Sequence, residues 1–320
     1  YESALDMENR NKQGIEPIKE YLDRIDQVGS VRELLHLEAQ FEQEIGINTL
    51  FSFSPSTDLT DSSRYVLYGA GLGTVLPSSY LVDESQQVKS LYENFIAQML
   101  VFSGTAEKEA LEDARNIYDF EKMIAQSALS NEMASKVENI YHPTIKNDLA
   151  KIFPKADIKA YMKDLGYGSV ENLIVTDTGR MKKTGELLSD ENLDILKDYS
   201  RYVLTVSAAP YLSRNLRDAI TAFNSSFLGV SSTMSEEDMA FNLLNSIMSS
   251  YLGKTYVEKY FSEDAKQDVE NIVGEIVAAY QKRLEKLDWM DDDTKAAALL
   301  KLSRIRVKIG YPDVWKDPLS

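Results

Sequence analysis

Cysteine is absent from the 320 residues, and histidine occurs only twice, at His36 and His142. The first absence removes disulfides, thiolate zinc sites, iron–sulfur clusters and cysteine nucleophiles together. The second removes the usual signature of metal-dependent hydrolysis, two histidines one helical turn apart, whose side chains leave one helix face toward the same ion. A lone histidine reads first as a surface residue or a hydrogen-bonded core residue. His36-Leu37-Glu38 matches half of a nucleobase-deaminase pattern, but the cysteine pair that pattern needs does not exist here.

Other things are missing too. No stretch approaches the ~20 consecutive apolar residues of a membrane-spanning helix. No Lys/Arg cluster interleaved with aromatics stands out against a net charge of -16, which would repel a phosphate backbone, so nucleic acid is not an expected partner. There is no Gly-x-Ser-x-Gly elbow to carry a serine nucleophile, no repeat period and no low-complexity tract.

What is present is the composition of a globular protein, 43% hydrophobic and 27% charged, at a length that admits one large domain or two ordinary ones. Apolar residues recur at helical spacing over most of the chain, so the expected fold class is mainly α: a multi-helix domain with long helices and a small β-hairpin. Tyr1 to Arg24 reads as one amphipathic helix. A stripe from Val88 to Phe102, a break at Gly104 and a run from Ala106 to about Ala128 predict a helical hairpin. A helix beginning at Leu193 is expected to bend or divide at Pro210, and Leu228 to Ser235 reads as a Gly/Ser linker. Ser262 to Leu287 is the strongest helical pattern, capped by Ser262 and with one face expected to be buried. A last helix is expected from Asp291 through Ile309, stopping at Gly310 and Pro312. Phe51–Phe53 and Tyr65–Leu67, separated by turn formers, predict the hairpin, and Asn172 to Thr176 reads as an edge strand or a loop.

Few constellations carry chemistry. Asp291-Asp292-Asp293 is explained by charge at a helix N-terminus, and no segment has the spacing of a calcium loop. Carboxylates are abundant enough that residue type alone leaves a glycosidase pair open. Gly69-Ala70-Gly71-Leu72-Gly73 follows a strand but lacks the helix and the Lys-Ser/Thr of a phosphate loop, so it reads as a flexible loop leaving the hairpin. Tyr251, Tyr256, Tyr260 and Phe261 read as core. Asn224-Ser225-Ser226 fits a glycosylation triplet that arises often by chance. No residue is therefore assigned as catalytic, cofactor-binding or metal-ligating.

Several ordered motifs do carry a resemblance. Gly253-Lys254-Thr255-Tyr256-Val257-Glu258, Trp289-Met290-Asp291, Thr294-Lys295 and Ile309-Gly310-Tyr311-Pro312-Asp313 resemble the neprilysin family of zinc metalloendopeptidases, in particular its bacterial oligopeptidase-O-like members. Gly14-Ile15-Glu16-Pro17 and Leu76-Pro77-x-x-Tyr80 extend the likeness upstream. Two features depart from it: Tyr80-Leu81 stands where the family has paired tyrosines, and Glu237 and Ala240 replace the Trp-x-x-Cys of animal members. The matched residues themselves read as structural, with Trp289 and Tyr256 in packing and Gly310 and Pro312 as a terminator.

The resemblance implies that the zinc-binding His-Glu-x-x-His helix, a downstream Glu ligand and an Asn-Ala-x-Tyr segment follow the Gly-Tyr-Pro region, beyond the 320 residues. Residues 1–320 would then be one helical domain, subdivided if anywhere near 228–235, that encloses a substrate chamber and restricts it to oligopeptides. Its partners would be the catalytic domain of the same polypeptide and peptide substrates. Zinc would sit in that other domain, and this chain alone would be inactive. Tyr1 in place of Met and the short polar tail Lys316–Ser320 lead to the expectation that both ends are boundaries within a longer protein, with cytoplasmic and exported locations equally open. An isolated wall domain should expose apolar surface and self-associate. The rival reading is an autonomous helical protein-binding module without enzymatic activity.

Overall fold

The computed structural model describes residues 1–83, 85–229 and 234–315. The tail Lys316–Ser320 and residues 230–233, the middle of the expected Gly/Ser linker, lie outside the described residues. The chain is mainly α and divides into two units, residues 6–233 and residues 1–5 with 234–320.

The N-terminal run is three helices instead of one: α1 (Glu2–Leu5), α2 (Met7–Gln13) and α3 (Glu16–Gln27). Local chemistry makes the breaks. The Asp6 side chain caps α2 by accepting from Asn9 N at 3.2 Å, and Gly14 takes φ 58°, a conformation that L side chains avoid. Pro17 then occupies the first turn of α3, where its missing N–H costs nothing. The next helix, α4 (Val31–Ile45), is bracketed by similar signals. Ser30 Oγ accepts from Glu33 N at 3.2 Å, the Glu33 carboxylate accepts from Gly29 N at 2.7 Å, and Gly46 closes the helix in the left-handed region.

Strands β1 (Phe53–Thr57) and β2 (Tyr65–Gly69) form the expected hairpin, with Phe53 opposite Gly69. Short α5 (Ser78–Val82) leads to the helical hairpin of α6 (Gln86–Phe102) and α7 (Glu107–Ser127), which turns at Gly104 with φ 104°. Two single-turn helices, α8 (Asn131–Ala134) and α9 (Val137–Ile140), precede β3 (His142–Ile145). After α10 (Lys146–Ile152) and α11 (Ile158–Asp164), β4 (Asn172–Val175) enters the sheet. It is an interior strand, not an edge: it runs parallel to β2 and antiparallel to β3, giving the order β1-β2-β4-β3. Its Leu173-Ile174-Val175 run is buried on both faces, which is why it lacks the alternation of a half-buried strand. Each edge strand carries a proline, Pro55 in β1 and Pro143 in β3, which interrupts the row of donors that would otherwise recruit a further strand.

The larger unit closes with α12 (Thr178–Leu187), α13 (Leu193–Ala208) and α14 (Arg214–Leu228). Pro210 divides the last two within a 3-10 turn, as its ring and missing donor require. The core of this unit is rich in tyrosine: Tyr92, Tyr118, Tyr161 and Tyr202 are fully buried beside Phe41, Phe53 and Phe120. A buried hydroxyl needs a partner, and Tyr161 finds one in the Phe51 carbonyl and Tyr92 in the Glu121 carboxylate.

The smaller unit contains α15 (Glu236–Tyr260), α16 (Glu263–Glu285) and α17 (Asp292–Ser303). α15 is kinked at Met248, whose φ −123° and ψ 30° are not helical. Two expectations fail here. α17 ends at Ser303 and not near Ile309, so Ile305 and Ile309 lie beyond the helix. The apolar face of α16 is not buried: Ile272 is 56% and Tyr280 60% exposed, although Ser262 caps the helix as expected by accepting from Ala265 N at 3.2 Å.

Candidate functional site

The residues that chemistry singled out are dispersed. His36 lies on α4, its Nδ1 2.9 Å from Asp164 Oδ2 and its Nε2 3.1 Å from Gln40 Nε2. It lines a groove of about 820 Å³ with Arg24, Arg32 and Lys163. His142 is on edge strand β3, where Nε2 is 2.9 Å from the Asn139 carbonyl. Among the described residues, no three His, Asp or Glu side chains converge as a metal site would require. Asp291 caps α17 by accepting from Thr294 N at 2.7 Å, the helix-terminal role its sequence context implies.

The glycine loop after β2 is pinned on several sides. Leu72 N donates to Thr184 Oγ1 at 2.8 Å, and Arg180 Nε donates to the Ala70 carbonyl at 3.1 Å. Val75 N donates to Glu121 Oε1 at 2.7 Å. Amides of Leu72 and Val75 are thus committed to side chains of α12 and α7 and do not converge on an anion, which explains physically why the phosphate-loop resemblance fails. Gly71, at φ 85°, packs so closely on Thr184 that a β-carbon would collide with it. Beside this loop, Gly73, Thr74, Pro77, Ser78 and Ser79 line a cavity of about 410 Å³ with Asp177 and Arg180.

Two buried carboxyls carry no mark in the sequence, since nothing in their spacing sets them apart. Glu38 of α4 accepts from Thr49 N at 2.6 Å, from Thr49 Oγ1 and from Ser200 Oγ at 3.2 Å; burial raises its pKa despite those donors. Glu121 of α7 is likewise buried, and burial pushes it up to about 7 against the opposing pull of Val75 N and the Tyr92 and Tyr199 hydroxyls. The only available signal was a Glu in the apolar register of α7, among Ile117, Tyr118 and Ile124.

In the smaller unit, the Gly310-Tyr311-Pro312-Asp313 turn is anchored to α16. Lys266 Nζ donates to the Tyr311 carbonyl at 3.2 Å and to Asp313 Oδ1 at 2.9 Å, and Gly310, at φ 65°, lets the turn close onto the Phe261 ring. Tyr311 meets Phe261 edge-on at 6.0 Å and stacks on Trp315 at 6.3 Å. Lys266, Glu270 and residues 307–313 line a cavity of about 510 Å³. These helices expose several large apolar side chains. Trp289 is 72% exposed, and Tyr256 and Tyr260 are 60% and 71% exposed, so the expectation that they pack in a core is overturned.

The family model described as "Peptidase family M13" matches residues 1–312. The chain is 28% identical over 265 residues to a neutral endopeptidase of Lactobacillus helveticus, covering 82% of this chain and 41% of that one. It is 27% identical over 315 residues to a neutral endopeptidase of Lactococcus lactis, covering 98% and 50%. Its fold is similar to that of a zinc metalloprotease of Mycobacterium tuberculosis solved in complex with an inhibitor, with a TM-score of 0.88 at 25% identity, over 98% of this chain and 48% of the other. The chain spans about half the length of the curated relatives it matches.

Proposed function

The chain belongs to peptidase family M13, and from that premise we propose that it is the non-catalytic helical portion of a zinc metalloendopeptidase, forming a wall of the chamber that limits access to oligopeptides. One observation carries the reading: Ile272, Ile276 and Tyr280 recur at helical spacing on α16 and all are exposed, as Trp289 is. Amphipathic helices in folded proteins bury such a face, and an uncovered one marks an interaction surface. The part of the relatives that this chain does not match is the candidate cover, as the catalytic domain of the same polypeptide.

Zinc, on this reading, belongs to that other part, since a catalytic zinc needs three protein ligands around one ion and His36 and His142 are each engaged on separate elements. No residue of the chain is assigned a catalytic or metal-ligating role. A wall needs none: it governs which molecules reach the chamber and keeps bulk water from it.

Hydrolysis of an internally quenched oligopeptide tests the reading, measured for the chain alone and for the chain joined to the polypeptide that follows it in its gene, both supplied with zinc. Activity only in the joined protein supports it. Activity in the chain alone, or a stop codon directly after Ser320, favours the rival binding module or another enzyme altogether.

A further inference from the structure

Glu121 sits at the junction of three elements and ties together a cluster with fewer protons than contacts. Its Oε1 accepts from Val75 N at 2.7 Å and lies 3.3 Å from the Tyr199 hydroxyl, while Oε2 accepts from the Tyr92 hydroxyl at 2.7 Å. The Tyr199 hydroxyl also lies 3.0 Å from the Gly73 carbonyl. Tyr92 Oη in turn accepts from Leu76 N at 3.2 Å and from the Tyr202 hydroxyl at 3.1 Å. Six contacts are drawn, but Val75, Leu76, Tyr92, Tyr199 and Tyr202 bring only five protons. The shortfall falls on Tyr199, whose single hydroxyl proton faces both the Gly73 carbonyl and the carboxylate.

A proton on Glu121 Oε1 resolves it. The carboxyl then donates to Tyr199 Oη, and Tyr199 donates without competition to Gly73. We propose that Glu121 is a protonation latch on the Gly73–Leu76 loop: neutral, it secures the loop through Tyr199, and ionised, it draws the Tyr199 proton to itself and frees the Gly73 carbonyl. Because Gly73 and Thr74 line the cavity beside Asp177 and Arg180, release of the latch loosens one wall of that cavity.

The surroundings favour a proton shared within the cluster over ion pairing. From α6 the facing group is Tyr92, and from α13 they are Tyr199 and Tyr202; burial holds all three hydroxyls well above their ordinary range, so they stay neutral. The loop side presents only peptide groups. Charges on the neighbouring helices are engaged elsewhere: Lys89 with Glu93 and over the Tyr118 ring, Arg201 with Asp26, Lys197 with the Asp26 carbonyl, and Arg180 with Ala70. On α12, Lys183 pairs with Glu186 and Lys182 is exposed. On α13, Asp198 is pushed up to about 6 by burial and by Asp113, which burial also raises. Burial likewise raises Glu121, to about 7, which puts the latch in the neutral range.

Amide hydrogen exchange over residues 73–76, corrected for intrinsic rates and measured on the whole chain at about pH 5.5 and about pH 8.5, tests the latch. Protection is expected to fall roughly ten-fold at the higher pH in the unaltered protein and to show no such step in Glu121→Gln or Tyr199→Phe. The unaltered protein should also show, beside the bands of Glu38 and Asp198, a buried neutral-carboxyl infrared band at the lower pH that is lost with the same midpoint and shifts in frequency in Tyr199→Phe. This second readout decides the matter if Glu121→Gln does not fold. Equal protection at both pH values, a step that survives in Glu121→Gln, or no neutral-carboxyl band that responds to Tyr199→Phe would overturn the proposal.

Discussion

Lys266 lies over the ring of Tyr311, its ammonium 4.6 Å from the ring centroid, while the same ammonium binds the Tyr311 carbonyl at 3.2 Å. One side chain of α16 therefore fixes both the ring and the backbone of a turn 45 residues further along the chain. The arrangement explains how a short non-helical segment keeps a defined shape on an exposed surface. Cation–π attraction and a charge-assisted hydrogen bond act on the same residue, and Gly310 supplies the backbone conformation that brings Phe261 against it.

Replacing Lys266 with Met keeps the length of the side chain and removes its charge. The Tyr311–Trp315 stack should loosen, and the fluorescence of Trp315, one of two tryptophans, should shift to the red, while helix content by circular dichroism stays the same. An unshifted emission spectrum in a Trp289→Phe background would mean that Lys266 does not hold the turn.

Gly71→Ala should destabilise the larger unit by about 1–3 kcal/mol, the usual cost of a strained backbone residue. The φ of 85° is unfavourable for alanine, and the new methyl would push on Thr184, which caps the loop through Leu72 N. Urea denaturation monitored by circular dichroism measures the loss; a midpoint equal to that of the unaltered chain contradicts the pinned-loop description.

Stability should also depend on pH through Glu121. Its folded value of about 7 lies above the ordinary 4.5, so the folded state holds the proton more tightly than the unfolded one. The associated stability is fully present below about pH 4.5 and is lost as pH rises through about 7, by roughly 3 kcal/mol at most. Glu121→Gln should flatten that part of the profile in thermal melts taken from acid to neutral pH. Persistence of the same decline in the variant would place its origin elsewhere.

Much of the architecture was legible because helices announce themselves by period and by punctuation. Gly104 and Pro210 divided helices where their backbone chemistry demands, and the hairpin followed from alternating aromatics around a turn-rich segment. Asn172–Val175 was harder: a strand buried on both faces loses the alternation that distinguishes an edge, and its partner β3 contains a proline that argues against any strand. The breaks in the N-terminal run are hidden in the sequence because the apolar period continues across Asp6 and Gly14 while the backbone does not. Periodicity on α16 located an apolar face correctly but could not say whether anything covers it. The Glu121 cluster was invisible, since its members come from α6, α7, α13 and a loop that only the fold brings together.

The exposed face of α16 should make the chain associate with itself. Ile272→Glu with Ile276→Glu, both at exposed positions, should change folding stability by no more than about 0.5 kcal/mol each while reducing the apparent mass in light scattering at high concentration. A strictly monomeric unaltered chain, or a double variant that associates as strongly, would remove this face from consideration.

Zinc stoichiometry tests the central claim most directly. After dialysis against equimolar zinc and removal of loosely bound metal, elemental analysis of the purified chain should find far less than one tightly held zinc per molecule, while the chain joined to the polypeptide that follows it in its gene should hold one. A full equivalent of tightly bound zinc in the chain alone would contradict the account.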